Sequence, residues 1–228
     1  MPAYNEAGTV SVIVEKVLKQ PCVRELVIVD DCSSDDTWRV LQQLADGDPR
    51  IRLHRHEVNQ GKGAALRTAF RQVSAPVVII QDADLEYDPA EYTRVIAPIV
   101  SGAADVVFGS RFIGSEEHRV LYFWHAIGNK FLSLLSNMLS NLTLTDMETC
   151  FKAFRLEILR ELAPRLRENR FGFEPEITAR VARVRPRLRI YEVAVSYHGR
   201  TYEEGKKIGW RDGCRAILAI LRYNLLGR

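Results

Sequence analysis

Short apolar runs alternate with amphipathic segments along the first half of the chain. The apolar runs, which are rich in β-branched residues, predict strands at Leu26–Asp30, Ile51–His54, Val77–Ile80 and Asp105–Phe108. Segments with apolar residues at helical spacing predict helices at Val10–Leu18, Thr37–Leu44, Gly63–Gln72 and Ala90–Val100. This alternation is typical of βαβ units, so we expect an α/β fold with a mostly parallel sheet flanked by helices.

The second half departs from this rhythm near residue 115. An aromatic-rich segment at Val120–Leu142 predicts a long helix, and shorter helices are expected at Leu156–Leu166 and Glu174–Val184. A strand is expected at Leu188–Val195, and a last helix from about Gly209. No internal repeat or low-complexity segment divides the chain, so we expect a single domain over residues 1–228.

The start of the chain is irregular. Residues 2–6, Pro-Ala-Tyr-Asn-Glu, indicate a loop that leaves a strand and enters a helix, yet only Met1 precedes them. We therefore expect the first strand of the sheet to be missing from this chain, which would leave an edge where a central strand belongs.

Composition excludes some classes of protein. Hydrophobic residues make up 46% of the 228 residues, which supports a normal core and excludes global disorder. The net charge is +3, with acidic residues clustered at 30–36 and 82–91 and basic ones dominating 155–228. A basic second half fits phosphates, anionic lipids or a membrane surface at least as well as nucleic acid. No nucleic-acid-binding motif is present, so nucleic acid is the least expected partner.

Cysteine usage and hydropathy indicate the compartment. The four cysteines are scattered, without the spacing of a metal site or a disulfide framework, which is typical of reduced cytosolic thiols. No stretch reaches the roughly 20 apolar residues of a membrane-spanning helix. We expect a cytoplasmic protein that is soluble or peripheral, at the cytoplasmic face of a membrane.

Candidate chemistry concentrates where predicted strands end. Asp82, Ala83 and Asp84 follow the strand at 77–80, at the edge where open α/β sheets bind their ligands. Carboxylate oxygens suit hard cations such as Mg²⁺ or Mn²⁺, which in turn bind substrate phosphates. An acidic turn is the simpler interpretation, because Asp starts loops well. The neighbouring strand ends favour the metal site.

Two of those strand ends carry polar groups that suit a nucleotide. Asp30 and Asp31 close the strand at 26–30, and adjacent carboxylates repel each other unless they are hydrogen-bonded. Lys62 lies between Gly61 and Gly63 where a helix follows the third strand, and it offers a cation beside a helix start that suits a phosphate.

Five short motifs occur in one order: Pro-Ala-Tyr-Asn-Glu at 2–6, Val-Asp-Asp-Cys-Ser at 29–33, Asn-Gln-Gly-Lys-Gly at 59–63, Asp-Ala-Asp-Leu at 82–85 and Gly-Ser-Arg-Phe at 109–112. In this order and spacing they resemble the family 2 glycosyltransferases of GT-A fold, particularly the dolichyl-phosphate and polyprenyl-phosphate sugar synthases. The resemblance covers nearly the whole chain. It implies a nucleotide-sugar-binding half over residues 1–113 and an acceptor half over residues 114–228.

The resemblance also implies a role for each matching residue. Those implied to contact the nucleotide sugar are Pro2, Ala3, Tyr4, Glu6, Asp30, Asp31, Lys62 and Ala83. Those implied to hold a divalent cation, Mg²⁺ or Mn²⁺, are Asp82, Asp84 and Glu86. Phosphate-binding cations are implied at Arg111, Arg119, Arg200 and Lys207, and Asp146 falls where the family has an aspartate near the sugar. The implied catalytic residues are Asp84, Asp146, Arg111 and Arg200.

Two positions depart from the commonest pattern of the family. Thr149, Cys150 and Phe151 stand where many members have Ser-Gly-Phe, and Cys32 replaces the usual glycine. The change at Cys32 is expected to cost little if the φ of this residue is negative.

The implied reaction transfers a hexose from a UDP- or GDP-sugar to polyprenyl phosphate by one displacement that inverts the anomeric carbon. A phosphate acceptor is already an anion and needs no strong general base, whereas a hydroxyl acceptor would make Asp146 the candidate base. Two alternatives stay open. The acceptor is a saccharide or cell-surface glycan, or the protein is a nucleotide-binding scaffold that has lost catalysis.

Two amphiphilic segments bear on the membrane. The segment at 120–135 places Tyr and Trp near Arg119 and Lys130, which suits a membrane interface, but Leu and Phe at helical spacing suit a core equally well. The last helix allows the same two interpretations. We expect any membrane attachment to be peripheral or provided by a partner protein.

Overall fold

The computed structural model describes residues 1–114, 119, 120, 122–201, 203 and 209–227. The described strands are β1 Pro2–Ala3, β2 Leu26–Asp30, β3 Ile51–Arg55, β4 Val77–Ile79, β5 Val106–Ser110, β6 Lys152–Arg155 and β7 Ile190–Ala194. The described α-helices are α1 Val10–Leu18, α2 Thr37–Gly47, α3 Lys62–Phe70, α4 Tyr92–Val100, α5 Phe123–Ser140, α6 Leu156–Leu162, α7 Phe173–Arg183 and α8 Trp210–Leu221. Short 3₁₀ helices at Pro89–Glu91 and Ala163–Arg165 adjoin α4 and α6, and a π-helical turn at Arg222–Leu226 continues α8.

The described strands form two sheets. One has the order β1-β2-β3, with parallel pairing throughout. The other has the order β4-β6-β5-β7, in which β6 is antiparallel to both neighbours and β5 is parallel to β7. The predicted α/β architecture with mostly parallel pairing is confirmed.

One expectation about the strands is wrong, and one strand was not expected. Pro2 and Ala3 are not a loop: they pair in parallel with Val29 and Asp30, so a first strand is present and adds to the sheet edge. Sequence analysis also missed β6. Its four residues begin with a lysine and end with an arginine, so the apolar run is too short to give a strand signal, although Lys152 is fully buried.

The largest hydrophobic core draws on both halves of the chain. Ile13 and Val14 of α1 are fully buried in it, as are Phe108 of β5 and Phe154 of β6. The helical spacing of apolar residues in α1 turns one face of the helix onto the sheet. Each fully buried aliphatic or aromatic side chain of this kind contributes about 1.5–3 kcal/mol to folding. The edge of the sheet that carries the polar groups is therefore set on a close-packed base.

Helix α5 differs from the other helices because an apolar stripe on it faces solvent. Trp124, Ile127, Phe131, Leu134 and Met138 follow one another at spacings of three or four residues and are 44% to 78% exposed. The opposite face packs Leu132 against α8. No described helix combines the length and the apolar character that crossing a membrane requires.

Candidate active site

The predicted site residues meet at the carboxyl ends of β2, β4 and β5, and β6 completes the site. Because β6 lies between β4 and β5, the segment that leads into it, residues 146–151, lies beside both strand ends. The Ile80 N–H donates to the Lys152 carbonyl at 3.0 Å, and the Gly109 N–H donates to the Phe151 carbonyl at 2.7 Å. The strand that the sequence pattern did not reveal thus organises the centre of the site.

Asp82 contacts a buried lysine. Lys62 Nζ lies 3.0 Å from Asp82 Oδ2 and 3.0 Å from Glu174 Oε1, so it bridges the end of β4 and the first turn of α7. Burial lowers the pKa of Lys62, but the charges of Asp82 and Glu174 outweigh burial and hold this pKa well above its usual range. Burial likewise raises the pKa of Asp82, and the Lys62 charge reverses that effect. Both groups are therefore ionised.

Asp84 shares one guanidinium with two other carboxylates. Arg200 Nη2 lies 3.0 Å from Asp84 Oδ2, Arg200 Nη1 lies 3.3 Å from Glu6 Oε2, and Arg200 Nε lies 3.5 Å from Glu86 Oε1. Burial, and then the charges of Asp82 and Glu86, raise the pKa of Asp84 to about 7, although Arg200 opposes the shift. Arg200 alone does not balance the negative charge of these three carboxylates.

Glu86 also fixes the chain that carries Arg200. The Arg200 backbone N–H donates to Glu86 Oε1 at 3.0 Å, and the Tyr197 hydroxyl donates to Glu86 Oε2 at 3.1 Å. The His198 N–H donates to the Glu86 carbonyl at 2.9 Å. These bonds bring residues 197–200, from the far end of the sequence, onto the end of β4.

Arg111 and Asp146 form a bidentate ion pair. Arg111 Nε donates to Asp146 Oδ2 at 2.6 Å, and Arg111 Nη2 donates to Asp146 Oδ1 at 2.8 Å. Asp146 is fully buried, and its backbone N–H donates to Glu192 Oε1 at 3.3 Å. The two-pronged geometry leaves both carboxylate oxygens of Asp146 engaged by the same cation. The guanidinium of Arg111 also lies 5.0 Å from the centre of the Tyr197 ring.

Asp31 holds the loop that carries Lys62. Its carboxylate accepts from the Gln60 N–H at 3.0 Å and the Gly61 N–H at 2.6 Å, and it lies 2.6 Å from His56 Nδ1. Asp30 is fully buried and accepts from Ser33, while its Oδ2 lies 3.1 Å from Arg55 Nε. The two carboxylates avoid each other because each has its own donors.

Backbone geometry constrains two turns at this edge. Gly61 has a φ of +99°, and a Cβ there would overlap the Asn169 carbonyl, so only glycine fits. Cys32 has a φ of +61°, so the condition for a low cost, a negative φ, is not met. The turn that follows Asp31 requires a left-handed residue, and a cysteine in this region carries a conformational cost that glycine would avoid.

The other predicted residues occupy the same edge, apart from one outside the described part of the chain. Ala83 is buried, and its carbonyl accepts from the Thr9 hydroxyl at 3.0 Å. Tyr4 is partly exposed beside Glu6. Arg119 Nη1 donates to the Gly199 carbonyl at 3.1 Å, which links it to the chain before Arg200. Lys207 lies outside the described residues.

The predicted metal-binding residues contact cations of the protein. Over the described ranges, no group of three or more His, Cys, Asp and Glu side chains has an arrangement that could hold a metal ion. Asp84 and Glu86 meet at Arg200, and Asp82 contacts Lys62. Their oxygens are nevertheless hard donors, and Arg200 faces three carboxylates, those of Asp84, Glu6 and Glu86, which leaves negative charge that a cation would neutralise. By the chemistry of its donors, though not by its present arrangement, this set fits a hard divalent cation.

Sequence analysis missed three charged residues near this centre. Glu174 contacts Lys62, and Lys152 and Glu148 lie on the segment between β4 and β5. Glu174 and Lys152 are 6% and 0% exposed. A signal for Glu174 existed, since it stands between Phe173 and Pro175 at the start of a helix that is otherwise largely buried.

Comparison with known proteins assigns the chain to a family. The model of the family described as "Glycosyl transferase family 2" matches residues 1–163, which is more than half of the chain. The chain belongs to glycosyl transferase family 2. It is therefore a glycosyltransferase, and the family resemblance drawn from its five motifs is confirmed.

Curated relatives cover most of the glycosyltransferase chain. It is 26% identical over 238 residues to an undecaprenyl-phosphate mannosyltransferase of Micrococcus luteus, with 100% of this chain and 93% of the relative covered. It is 27% identical over 186 residues to a UDP-N-acetylglucosamine–dolichyl-phosphate N-acetylglucosaminyltransferase of Methanococcus voltae, with 75% and 74% covered. These names support the polyprenyl-phosphate sugar synthase branch.

Solved structures agree on the fold. The glycosyltransferase resembles glucosyl-3-phosphoglycerate synthase of Mycobacterium tuberculosis in complex with Mn²⁺, UDP and glucosyl-3-phosphoglycerate, with a TM-score of 0.72 and 21% identity. The match covers 98% of this chain and 77% of that chain. The predicted GT-A fold is confirmed.

Proposed function

We propose that this glycosyltransferase moves a hexose from a UDP- or GDP-sugar to a polyprenyl phosphate and inverts the anomeric carbon. The observation that carries the proposal is the bidentate ion pair of Asp146 and Arg111. Both oxygens of this fully buried carboxylate are held by one guanidinium, so neither is placed to accept a proton from a hydroxyl acceptor. A phosphate acceptor is already ionised and does not need this step. The relatives named for dolichyl and undecaprenyl phosphate support the same acceptor.

Asp82, Asp84 and Glu86 would hold the divalent cation, Mg²⁺ or Mn²⁺, which when bound neutralises charge on the donor diphosphate. Arg200, within 3.5 Å of Asp84 and Glu86, would then contact the departing nucleoside diphosphate. Lys207 would act with Arg200 from the same stretch of chain. Arg111 and Arg119 would orient the acceptor phosphate, so that its oxygen lies in line with the anomeric carbon and the leaving group.

The first half of the chain would bind the nucleoside. Tyr4 would stack on the base, while Glu6 and Asp31 would meet the base and ribose. Asp30 and Lys62 would support these groups from the strand end and the loop, with the backbone of Pro2, Ala3 and Ala83 lining the crevice. In this proposal residues 1–113 bind the donor and residues 114–228 the acceptor, within one catalytic domain.

The exposed stripe of α5 would lie against the membrane that carries the acceptor. Its five apolar residues are bulky, and Trp124 and Phe123 are 78% and 66% exposed. Aromatic side chains favour the interface of a bilayer, and an amphipathic helix with such a face binds there without spanning it. Lys130, on the same helix, would meet anionic headgroups. The enzyme would therefore work as a peripheral protein at the cytoplasmic face, alone or beside a membrane partner.

Transfer of label into lipid tests the proposal. The chain is incubated with UDP- or GDP-[¹⁴C]hexose, Mg²⁺ or Mn²⁺ and undecaprenyl or dolichyl phosphate, and the mixture is extracted with butanol. We expect label in the organic phase that requires both the cation and the lipid phosphate. Label recovered only in water-soluble glycan would show that the acceptor is a saccharide. Nucleotide binding without any transfer would favour a scaffold that has lost catalysis.

A further inference from the structure

An open cleft of about 570 Å³ lies between α8, the loop before α3 and the segment that precedes α7. Its volume is within the range of about 300–1,000 Å³ that ligand sites occupy. The loop contributes Asn59, the segment contributes Arg170, and α8 with its π-helical continuation contributes Arg215, Leu218 and Arg222. None of the residues that line the cleft is among those assigned to the donor, the cation or the acceptor.

Positive charge dominates this cleft. Three arginines line it, and Glu168 is the one acidic side chain among the described residues that do so. Arg222 Nη1 lies 3.8 Å from Glu168 Oε1, an oxygen that also accepts from the Tyr223 hydroxyl at 2.8 Å. Arg170 Nη2 donates to the amide oxygen of Asn59 at 3.5 Å, which is a long contact to a neutral group. The cleft therefore suits an anion.

The two arginines of the α8 segment are placed to take such a ligand. The side chains of Arg215 and Arg222 are 62% and 52% exposed. Arg215 Nη1 lies 3.4 Å from Asp212 Oδ1, one turn earlier on the same helix. Exposed ion pairs of this kind are weak, so both guanidinium groups can turn to an anion that enters the cleft. Arginine binds phosphate through two parallel N–H groups, which makes a phosphate the favoured anion.

Leucines accompany these arginines. Arg215, Leu218 and Arg222 follow one another at spacings of three and four residues, which places them on one face of the helix. Leu218 is 66% exposed, and Leu225 and Leu226, in the π-helical turn, are 62% and 69% exposed. A soluble anion would contact the arginines and leave the leucines in water. A phospholipid surface contacts both, because its phosphates lie directly above its acyl chains.

The position of α8 agrees with a membrane contact. Leu132 of α5 packs against Ala216 and Ile220 of α8, while Ala219 and Tyr223 pack against α7. Helix α5 contacts α7 as well, so α5 and α8 lie side by side against it. The faces of α5 and α8 that point away from α7 therefore adjoin each other. One of them is the apolar stripe proposed to meet the membrane.

We propose that the cleft bounded by Arg170, Arg215 and Arg222 binds the phosphate of an anionic phospholipid headgroup, with Leu218 in contact with the acyl chains. The proposal rests on the proposed function in one respect, the placement of α5 against the membrane. It adds a lipid that is neither the donor nor the acceptor, and it makes the enzyme select anionic membranes.

Partition into vesicles tests the cleft. The full chain is mixed with vesicles of phosphatidylcholine, or of phosphatidylcholine with phosphatidylglycerol, and the bound fraction is measured by flotation. We expect the wild type to prefer the anionic vesicles. Arg215→Gln and Arg222→Gln should each weaken binding to these vesicles about fivefold, and the double variant about 25-fold, the effect of arginines at an anionic surface. Binding to the neutral vesicles should stay the same.

A matched double variant separates the cleft from overall charge. Arg39 and Arg165 are 65% and 57% exposed, and each pairs with a carboxylate one turn away, as Arg215 does. Arg39→Gln with Arg165→Gln removes the same net charge and should bind anionic vesicles like the wild type. Both double variants should keep the melting temperature of the wild type, because all four side chains are largely exposed. Equal losses of vesicle binding in the two double variants would overturn the cleft.

Inorganic phosphate distinguishes a free anion from a headgroup. A wild-type chain that binds phosphate in calorimetry through Arg215 and Arg222, yet shows no preference for anionic vesicles, would overturn the lipid assignment. Leu218→Ser should leave any binding of phosphate unchanged and weaken binding to anionic vesicles. A Leu218→Ser protein that binds these vesicles like the wild type would overturn the contact with the acyl chains.

The cleft and the proposed function fail differently. Trp124→Ser, on the α5 stripe, should weaken binding to both kinds of vesicle by the same factor and keep the preference for anionic lipid. A wild type without that preference would overturn the cleft, while label would still pass into butanol. Absence of butanol-extractable product, with the preference retained, would remove the lipid acceptor and support the cleft as a separate site.

Discussion

Two aspartate pairs end strands of the two sheets, Asp30–Asp31 at the end of β2 and Asp82–Asp84 after β4, and they look alike in sequence. Asp31 is bound mainly by the backbone, since it accepts from the N–H groups of Gln60 and Gly61. Asp82 and Asp84 are bound mainly by two long cationic side chains, Lys62 and Arg200. A backbone donor cannot leave without refolding the loop, whereas a side-chain cation can change its partner.

This difference separates a structural role for the first pair from a catalytic role for the second. The first pair is part of the frame that shapes the nucleotide edge, and its removal should affect stability. At the second pair Arg200 faces three carboxylates, and burial followed by the charges of Asp82 and Glu86 raises the pKa of Asp84, so removal of this pair should affect turnover. Four substitutions test this contrast.

The largest effect is expected at Asp84. Asp84→Asn removes a carboxylate proposed for the cation while it keeps the side-chain shape, so sugar transfer should fall by about a hundredfold or more. The free energy of unfolding should stay the same or rise, because repulsion from Asp82 and Glu86 is relieved. Initial rates and urea unfolding measure both quantities. The exposed Asp46→Asn serves as control, and a variant at position 84 with near wild-type turnover would refute the assignment.

Asp31→Asn should show the opposite profile. One oxygen becomes an amide group that faces N–H donors, so the bonds to Gln60 and Gly61 are lost in part. We expect the free energy of unfolding to fall by about 3 kcal/mol. Urea unfolding measures it, with Asp36→Asn, an exposed aspartate that contacts Arg39, as the matched control. Equal stability of the two variants would show that Asp31 does not hold the loop.

Glu148 should make stability depend on pH. Its pKa is raised to about 7 in the folded chain, so the folded state binds more protons than the unfolded state between pH 4.5 and 7. The resulting stability is fully present below pH 4.5 and is lost as the pH rises through 7. Between pH 5 and 7 the wild type should lose about 2 kcal/mol relative to Glu148→Gln. Parallel unfolding curves of the two proteins across that range would contradict the shift.

The smallest effect is expected at Cys32. Glycine adopts a φ of +61° without strain, so Cys32→Gly should raise the free energy of unfolding by about 1 kcal/mol or less. The gain is reduced because Cys32 Sγ donates to the Glu57 carbonyl at 3.3 Å. Cys22→Gly is the control, because Cys22 has no positive φ and glycine there should destabilise. A loss of stability at position 32 would show that the thiol contact outweighs the strain.

The fold was largely accessible from sequence where periodicity was strong. Helix α1 and strand β2 begin and end at the predicted residues, because their apolar positions follow periods of 3.6 residues and a continuous run. Strand β6 was not accessible, since Lys152 is buried against the expectation for a lysine. The positive φ of Cys32 was equally hidden, because a turn type depends on where the flanking strand and loop must go.

The sequence predicted the positions of the site residues but not the residues that they contact. Carboxyl groups at strand ends predict an edge of the sheet, and Asp82, Asp84 and Arg111 are found there. The contact of Arg200 with Glu6 joins residues 194 apart in the chain, and no local pattern predicts it. Glu174 likewise reaches Lys62 through tertiary packing, in which Phe173 of α7 contacts Phe70 of α3.

Binding of Mn²⁺ shows whether the second aspartate pair exchanges its side-chain partners for a divalent cation. Free Mn²⁺ is followed by electron paramagnetic resonance as the full chain is added, with UDP or GDP present. We expect the wild type and Asp36→Asn to bind the cation, and Asp84→Asn not to bind it. Mn²⁺ that stays free with the wild type and both nucleotides, or that binds Asp84→Asn equally well, would contradict it.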